Sequence, residues 1–212
     1  MKQQRTRRLF LGVRTIPVAG ALAVVALLFR GPVILPTGNV PEWASTVSTG
    51  VYLATQYGMI VAFVLPLLGF WALYEHISQA RQVERLAFVG MLASVWGTAL
   101  ALPTLGITAF VTPVAGKLYG SGLTEIIQVV SESVTRSAMG IGLISAVLYT
   151  VGPLLLGVAA WRSGLVPRGA AILFALHGAL LSFGFSLFPL LILGWVLLTI
   201  SGIGMSWRMA KR

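Results

Sequence analysis

The chain has no cysteine and no aspartate, only two histidines, and five acidic residues that are all glutamate. Each shortage removes a class of chemistry. Without cysteine there is no disulfide, no thiolate nucleophile and no cysteine-ligated zinc or iron–sulfur cluster. Without aspartate a Ser-His-Asp relay cannot be assembled, and no Gly-x-Ser-x-Gly elbow occurs. Phosphate loops ending in Gly-Lys-Ser/Thr and dinucleotide fingerprints after a strand are missing as well. The three lysines, Lys2, Lys117 and Lys211, fall outside every apolar run, which excludes a retinal-type Schiff base. The expectation is a non-enzymatic protein with no cofactor and no metal site.

Charge is the next scarcity. Only 9% of residues are charged, against about 25% in an ordinary soluble domain. Hydrophobic residues make up 57% of the 212, and the mean hydropathy is +0.92. This is the composition of a polytopic membrane protein whose first partner is the lipid bilayer. The net charge of +10 would suggest nucleic acid in a soluble protein. Here Lys2, Arg5, Arg7, Arg8 and Arg14 crowd one end of the chain, and Arg208, Lys211 and Arg212 the other. Such flanks set membrane orientation, and no nucleic-acid partner is expected.

A helix needs about 20 apolar residues to cross roughly 30 Å of hydrocarbon. Six such runs are present, at about 15–35, 51–74, 86–103, 137–161, 169–187 and 189–207. The predicted fold is an all-α, six-helix transmembrane bundle forming one domain. Placing both termini in the cytoplasm puts twelve of the fifteen Lys and Arg inside and leaves Arg30, Lys117 and Arg136 outside. Trp43, Trp71, Trp161 and Trp207 lie near helix ends, where indoles prefer the headgroup level. Thr6-Arg7-Arg8-Leu9-Phe10-Leu11 matches a twin-arginine export pattern, but no small-x-small cleavage site follows at Phe29-Arg30-Gly31-Pro32. The first helix therefore reads as a retained signal-anchor.

About 104–136 is an outer loop, interrupted by Thr108, Thr112, Pro113, Gly116, Gly120 and Gly122. Within it Leu123, Ile126, Ile127, Val130 and Val134 share one face at helical spacing, which predicts an amphipathic helix on the outer surface. Glu125, Gln128 and Glu132 fall on the opposite face. They form either a polar site for a cation or substrate, or a solvated face with a Glu132–Arg136 pair.

Hairpins two–three and four–five echo one another. Gly90, Ser94 and Thr98 correspond to Gly178, Ser182 and Ser186, and Pro66 corresponds to Pro153. Small stripes allow close helix approach, and the prolines are candidates for kinks that open a cavity. His177 is the ionisable group placed inside a span, and such a residue is a functional candidate by default. Its readings are a proton relay, a substrate contact, a haem ligand, or a neutral imidazole bonded to a neighbouring helix. A bis-histidine haem would need His76, which lies at the inner mouth of helix two rather than at the depth of His177.

The run from Gly157 through Trp161-Arg162-Ser163-Gly164 to Pro167-Arg168-Gly169 ends one helix and opens the next. It resembles the corresponding turn in small multi-helix bacterial integral membrane proteins of unknown function. That resemblance implies a similar fold and a bacterial inner (cytoplasmic) membrane, and transfers no site residues. Two function classes follow. One is an accessory or structural membrane component that binds a membrane-protein partner, a lipid or further copies of itself through its outer loop. The other is a small transporter or channel subunit whose polar path runs past Pro66, Pro153, His177, Gln56, Tyr57 and Tyr149, with a membrane redox protein as a distant third.

Overall fold

The computed structural model describes residues 2–31, 39–184 and 187–210. Every regular element among them is helical. Helix α1, Lys2–Arg30, merges the basic flank and the first apolar run into one rod. It ends at Gly31, whose φ of +72° is the left-handed cap that glycine adopts without a Cβ penalty. The first span had been expected to continue to Leu35, and residues 32–38 lie outside the described ones.

Helix α2, Val40–Val47, was not foreseen, although its start signals are strong. The Asn39 side-chain Oδ1 accepts the Glu42 N–H at 3.3 Å, the Asn39 side-chain amide donates to the Glu42 carboxylate at 3.1 Å, and Pro41 opens the first turn. Helix α3, Gly50–Ile77, is capped by the Thr49 hydroxyl, which accepts the Tyr52 N–H at 3.1 Å. A short 3₁₀ turn at Arg81–Val83 then leads into α4, Glu84–Gly106.

Pro103 was expected to mark the end of the third span, but the chain stays helical for 40 residues from Arg81 to Gly120. A π-helical stretch, Ile107–Val111, joins α4 to α5, Thr112–Gly120. The physical reason lies in the second of the two prolines, Pro113. A proline ring collides with the carbonyl four residues back, and one wide turn relieves that clash before Pro113. Threonine hydroxyls add local bonds along this stretch, as Thr108 donates to the Leu105 carbonyl at 2.9 Å and Thr112 donates at 3.2 Å to the Ile107 carbonyl, which also accepts the Thr112 N–H. At 1.5 Å per residue this rod is about 60 Å long, twice the thickness of the hydrocarbon layer.

Helix α6, Ile126–Val129, runs through a second π-helical stretch, Val130–Thr135, into α7, Arg136–Ser163. Helices α8, Arg168–Gly184, and α9, Phe188–Ala210, complete the chain. At the α7–α8 turn Ser163 donates to Ala160 and accepts from the Leu165 N–H, while Gly164 takes φ +66°. Five helical stretches are long and apolar enough to span a membrane: Arg8–Arg30, Gly50–Ile77, Arg81–Gly120, Ala138–Ser163 and Phe188–Ala210. Helix α8 is apolar but shorter, at 17 residues.

The six long helices form a closed ring in which each packs against its sequence neighbour and α1 closes on α9. Glycine backbones set the registers. Gly12 abuts Ala72 and Gly58 abuts Ala26, so α1 and α3 are antiparallel. Gly90 meets Leu156 and Gly97 meets Tyr149 between α4 and α7, while Gly157 meets Ala171 and Gly178 meets Tyr149 between α7 and α8. Gly184 meets Leu191 and Gly204 meets Ala170, so α8 is matched by α9 along its whole length. Gly202 against Pro17 closes the ring. By these registers the described N-terminal and C-terminal helix ends lie at one end of the bundle, together with Arg81, Arg85, Arg162 and Arg168. Lys117 and Arg30 lie at the other.

That other end carries a cap built from α2, α5 and α6. Trp43, Ala44, Val47 and Ala115 form its small core, with Val40, Tyr52, Tyr119, Ile126, Ile127 and Val130 packed around it. Trp43 is therefore a buried core residue rather than the interfacial anchor its position suggested. Trp71, Trp161 and Trp207 are exposed at the opposite end of the bundle. The amphipathic pattern is used against the cap: Ile126, Ile127 and Val130 face its core, whereas Leu123 is exposed and the Val134 side chain lies outside the described residues.

Candidate functional site

The middle of the ring is filled by aromatic rings from four helices. Phe63 of α3 lies 5.1 Å from Trp195 of α9 and 6.0 Å from Tyr149 of α7. Tyr149 stands edge-on to His177 of α8 at 5.9 Å, His177 lies 4.9 Å from Phe174, and Phe174 meets Phe70 at 5.8 Å. His177 is fully buried, and its Nδ1 bonds the Phe174 carbonyl within its own helix. The Nε2 of His177, the Tyr149 hydroxyl and the Trp195 indole nitrogen are all buried without a hydrogen-bond partner. Each such group costs roughly 1–3 kcal/mol of desolvation. Three of them lie along this one chain of rings.

Pro66 and Pro153 are buried near the depth of His177, and α3 and α7 continue through them as helix. A Cβ on Gly178 would come within 2.5 Å of the Tyr149 carbonyl oxygen and 3.0 Å of the Pro153 ring, so α7 and α8 touch at backbone distance beside His177. The other residues proposed for a polar path do not join this centre. Gln56 is buried two turns nearer the cap and accepts the Thr108 hydroxyl at 3.3 Å, while Tyr57 points outward against Phe110. His76 is buried near the opposite end, about three turns from the depth of His177, which leaves no common plane for a bis-histidine haem.

The two small-residue stripes are not used equivalently. Gly90, Ser94 and Gly97 of α4 grip α7 across a hairpin boundary, whereas Gly178 and Ser182 of α8 grip α7 within their own hairpin. Ser186 lies outside the described residues. Helix α7 is thus clasped on both sides, and Ser145 and Ser182 lock it by bonds to the Gly97 and Ala146 carbonyls at 2.8 and 2.9 Å.

On the cap, Glu125, Gln128 and Glu132 are exposed, and the Gln128 amide donates to the Glu132 carboxylate at 3.0 Å. The proposed Glu132–Arg136 pair falls on a side chain outside the described residues.

One grouping escaped the sequence reading. Arg30, the last residue of α1, is in electrostatic reach of Tyr52 at the start of α3, and the Tyr52 phenol also interacts with Gln56 and with Thr112 at the start of α5. The Nε and Nη2 atoms of Arg30 are buried and have no hydrogen-bond partner. The signal for it was present: Arg30 is a cation at the end of an apolar run where the charge bias calls for none. Comparison with protein-family models, curated proteins and solved structures finds no match for this chain.

Proposed function

We propose that the protein is a non-enzymatic accessory or structural component of a bacterial inner membrane, crossing it six times with both termini cytoplasmic. Its cap projects on the far side as the surface offered to a membrane-protein partner. The observation that supports this best is the filling of the bundle at the depth of His177 by the buried rings of Phe63, Tyr149, Phe174 and Trp195. A protein built to pass a solute would keep space there. The register of α8 against the whole of α9 supports a sixth crossing despite its 17 residues, which at 1.5 Å each span about 25 Å.

The experiment is photo-crosslinking in intact cells from a benzophenone amino acid at Gln128, with a second at exposed Leu11 as a bilayer-facing control. A discrete heavier adduct from position 128 alone is expected. Absence of any adduct at 128, together with solute flux through reconstituted vesicles, would overturn the reading.

A second reading, a small transporter subunit, is favoured by the three unpartnered polar atoms around His177. It requires that His177→Ala abolish a pH-dependent flux in proteoliposomes. Unchanged flux removes it.

A further inference from the structure

We infer that the junction between cap and bundle is a binding site for a phosphate-type oxyanion, gripped by the Arg30 guanidinium and assisted by Tyr52. The inference does not depend on the accessory reading, because it rests on a charge the chain leaves uncompensated. Guanidinium stays protonated in proteins and presents its donors as a rigid fork. The Nε and Nη2 hydrogens form one edge of that fork, the edge that takes two oxygens of a carboxylate or phosphate side by side. Both atoms are buried in Arg30, and neither has a partner.

The chain's own carboxylates do not supply the missing anion. Glu42 is engaged with Asn39, and Glu132 with Gln128 on the exposed cap. Glu125 is exposed there as well, while Glu75 and Glu84 lie at the other end of the bundle. The group in electrostatic reach of Arg30 is the phenol of Tyr52, which itself interacts with Gln56 and Thr112. The Tyr52 hydroxyl and the Gln56 amide are able to donate to further oxygens of a bound anion, whereas the Thr112 hydroxyl is committed to the Ile107 carbonyl. The carbonyl end of the α1 dipole attracts the cation, yet gives Nε and Nη2 no hydrogen bond.

The site lies at the cap end of the α1–α3 seam, at the boundary between the apolar bundle and the part of the 40-residue rod that extends toward the cap. A phosphodiester headgroup and free inorganic phosphate both present the required oxygens there.

The test uses the full chain in dodecyl maltoside, a phosphate-free detergent, with thermal unfolding followed by tryptophan fluorescence. Inorganic phosphate and dihexanoyl phosphatidylglycerol below its micelle concentration are titrated separately at constant ionic strength, with chloride as reference. At least one probe should raise the wild-type midpoint, and Arg30→Gln should weaken its apparent affinity tenfold or more. Arg30→Lys, which keeps the charge and loses the fork, should fall between, and Tyr52→Phe should weaken binding several-fold. A response to the lipid alone identifies a headgroup site, and a response to phosphate alone identifies a free-anion site. The inference is overturned if neither probe exceeds chloride, or if Arg30→Gln responds as the wild type does. Should Arg30→Gln fail to fold, Tyr52→Phe decides, and a wild-type response from it overturns the inference too.

Discussion

Glycine in this chain has two opposite uses, and single substitutions separate them. At Gly90 a Cβ would come within 2.5 Å of the Leu156 amide nitrogen and 2.9 Å of its Cα, so α4 and α7 touch through backbone. Backbone cannot swing aside as a side-chain tip can. Gly90→Ala should therefore destabilise the bundle by about 1–3 kcal/mol, the usual cost of overpacking. Gly140, inside α7, has nothing within 4 Å of its missing Cβ. There Gly140→Ala should stabilise by about 0.5–1 kcal/mol, because alanine loses less backbone freedom on forming helix. Unfolding by dodecyl sulfate in mixed micelles measures both, and equal effects of like sign would mean that the seam is looser than described. At this scale the sequence was partly legible. The small stripe Gly90, Ser94, Thr98 announced close helix contact, and the turn Trp161-Arg162-Ser163-Gly164 announced its own geometry. Which helix each stripe grips was not legible, because that depends on the ring closing. The orphaned nitrogens of Arg30 depend likewise on how the end of α1 is packed against α3.

At the scale of elements, the cap is a second structure mounted on the first. Its core is four buried residues, Trp43, Ala44, Val47 and Ala115, and Trp43 supplies most of its apolar volume. Truncating a buried aromatic to alanine costs about 3–5 kcal/mol, more than so small a core can absorb. Trp43→Ala should thus release α2 from α5 and α6 while the bundle stays folded. Limited proteolysis of vesicles should then cut near Gly120–Leu123, and the thermal midpoint of the protected remainder should hold. Loss of the whole bundle together with the cap would show instead that the cap is part of one cooperative unit. The cap also explains why the region 104–136 read as a loop. Pro103, Pro113 and a run of threonine and glycine are stop signals for an isolated helix, but the π-helical turn accommodates the Pro113 ring and carries the helix on. Local signals lost to tertiary support. Helix α2 shows the reverse case, as Asn39, Pro41 and Glu42 are a complete start signal, overlooked because only eight residues follow.

For the molecule as a whole, ring closure joins the two ends of the chain: α1 packs against α9, so both termini's helices leave the bundle at the same end as the polar turns at Ser78–Arg85 and Ser163–Arg168. That end carries most of the described basic residues, and the cap end carries Arg30 and Lys117. The charge asymmetry read from sequence and the up-and-down registers fall along a single axis, and the proposed orientation, with the termini in the cytoplasm, makes a direct prediction along it. Because the chain has no cysteine, single cysteines can be placed without background. Exposed positions mark each end: Gln79 and Ala210 at the terminal end, and Ser121 and Ser131 on the cap, with Leu187 in the α8–α9 turn. An impermeant maleimide added to spheroplasts should label Ser121→Cys, Ser131→Cys and Leu187→Cys, and should reach Gln79→Cys and Ala210→Cys only after permeabilisation. Leu187 is the discriminating position. If α8 only lay against the membrane, Leu187 would remain on the side of Gln79 and stay protected while the two cap positions reacted. Labelling of Gln79 and Ala210 in sealed spheroplasts would invert the axis and would place the Arg30 site, with the cap above it, on the cytoplasmic face.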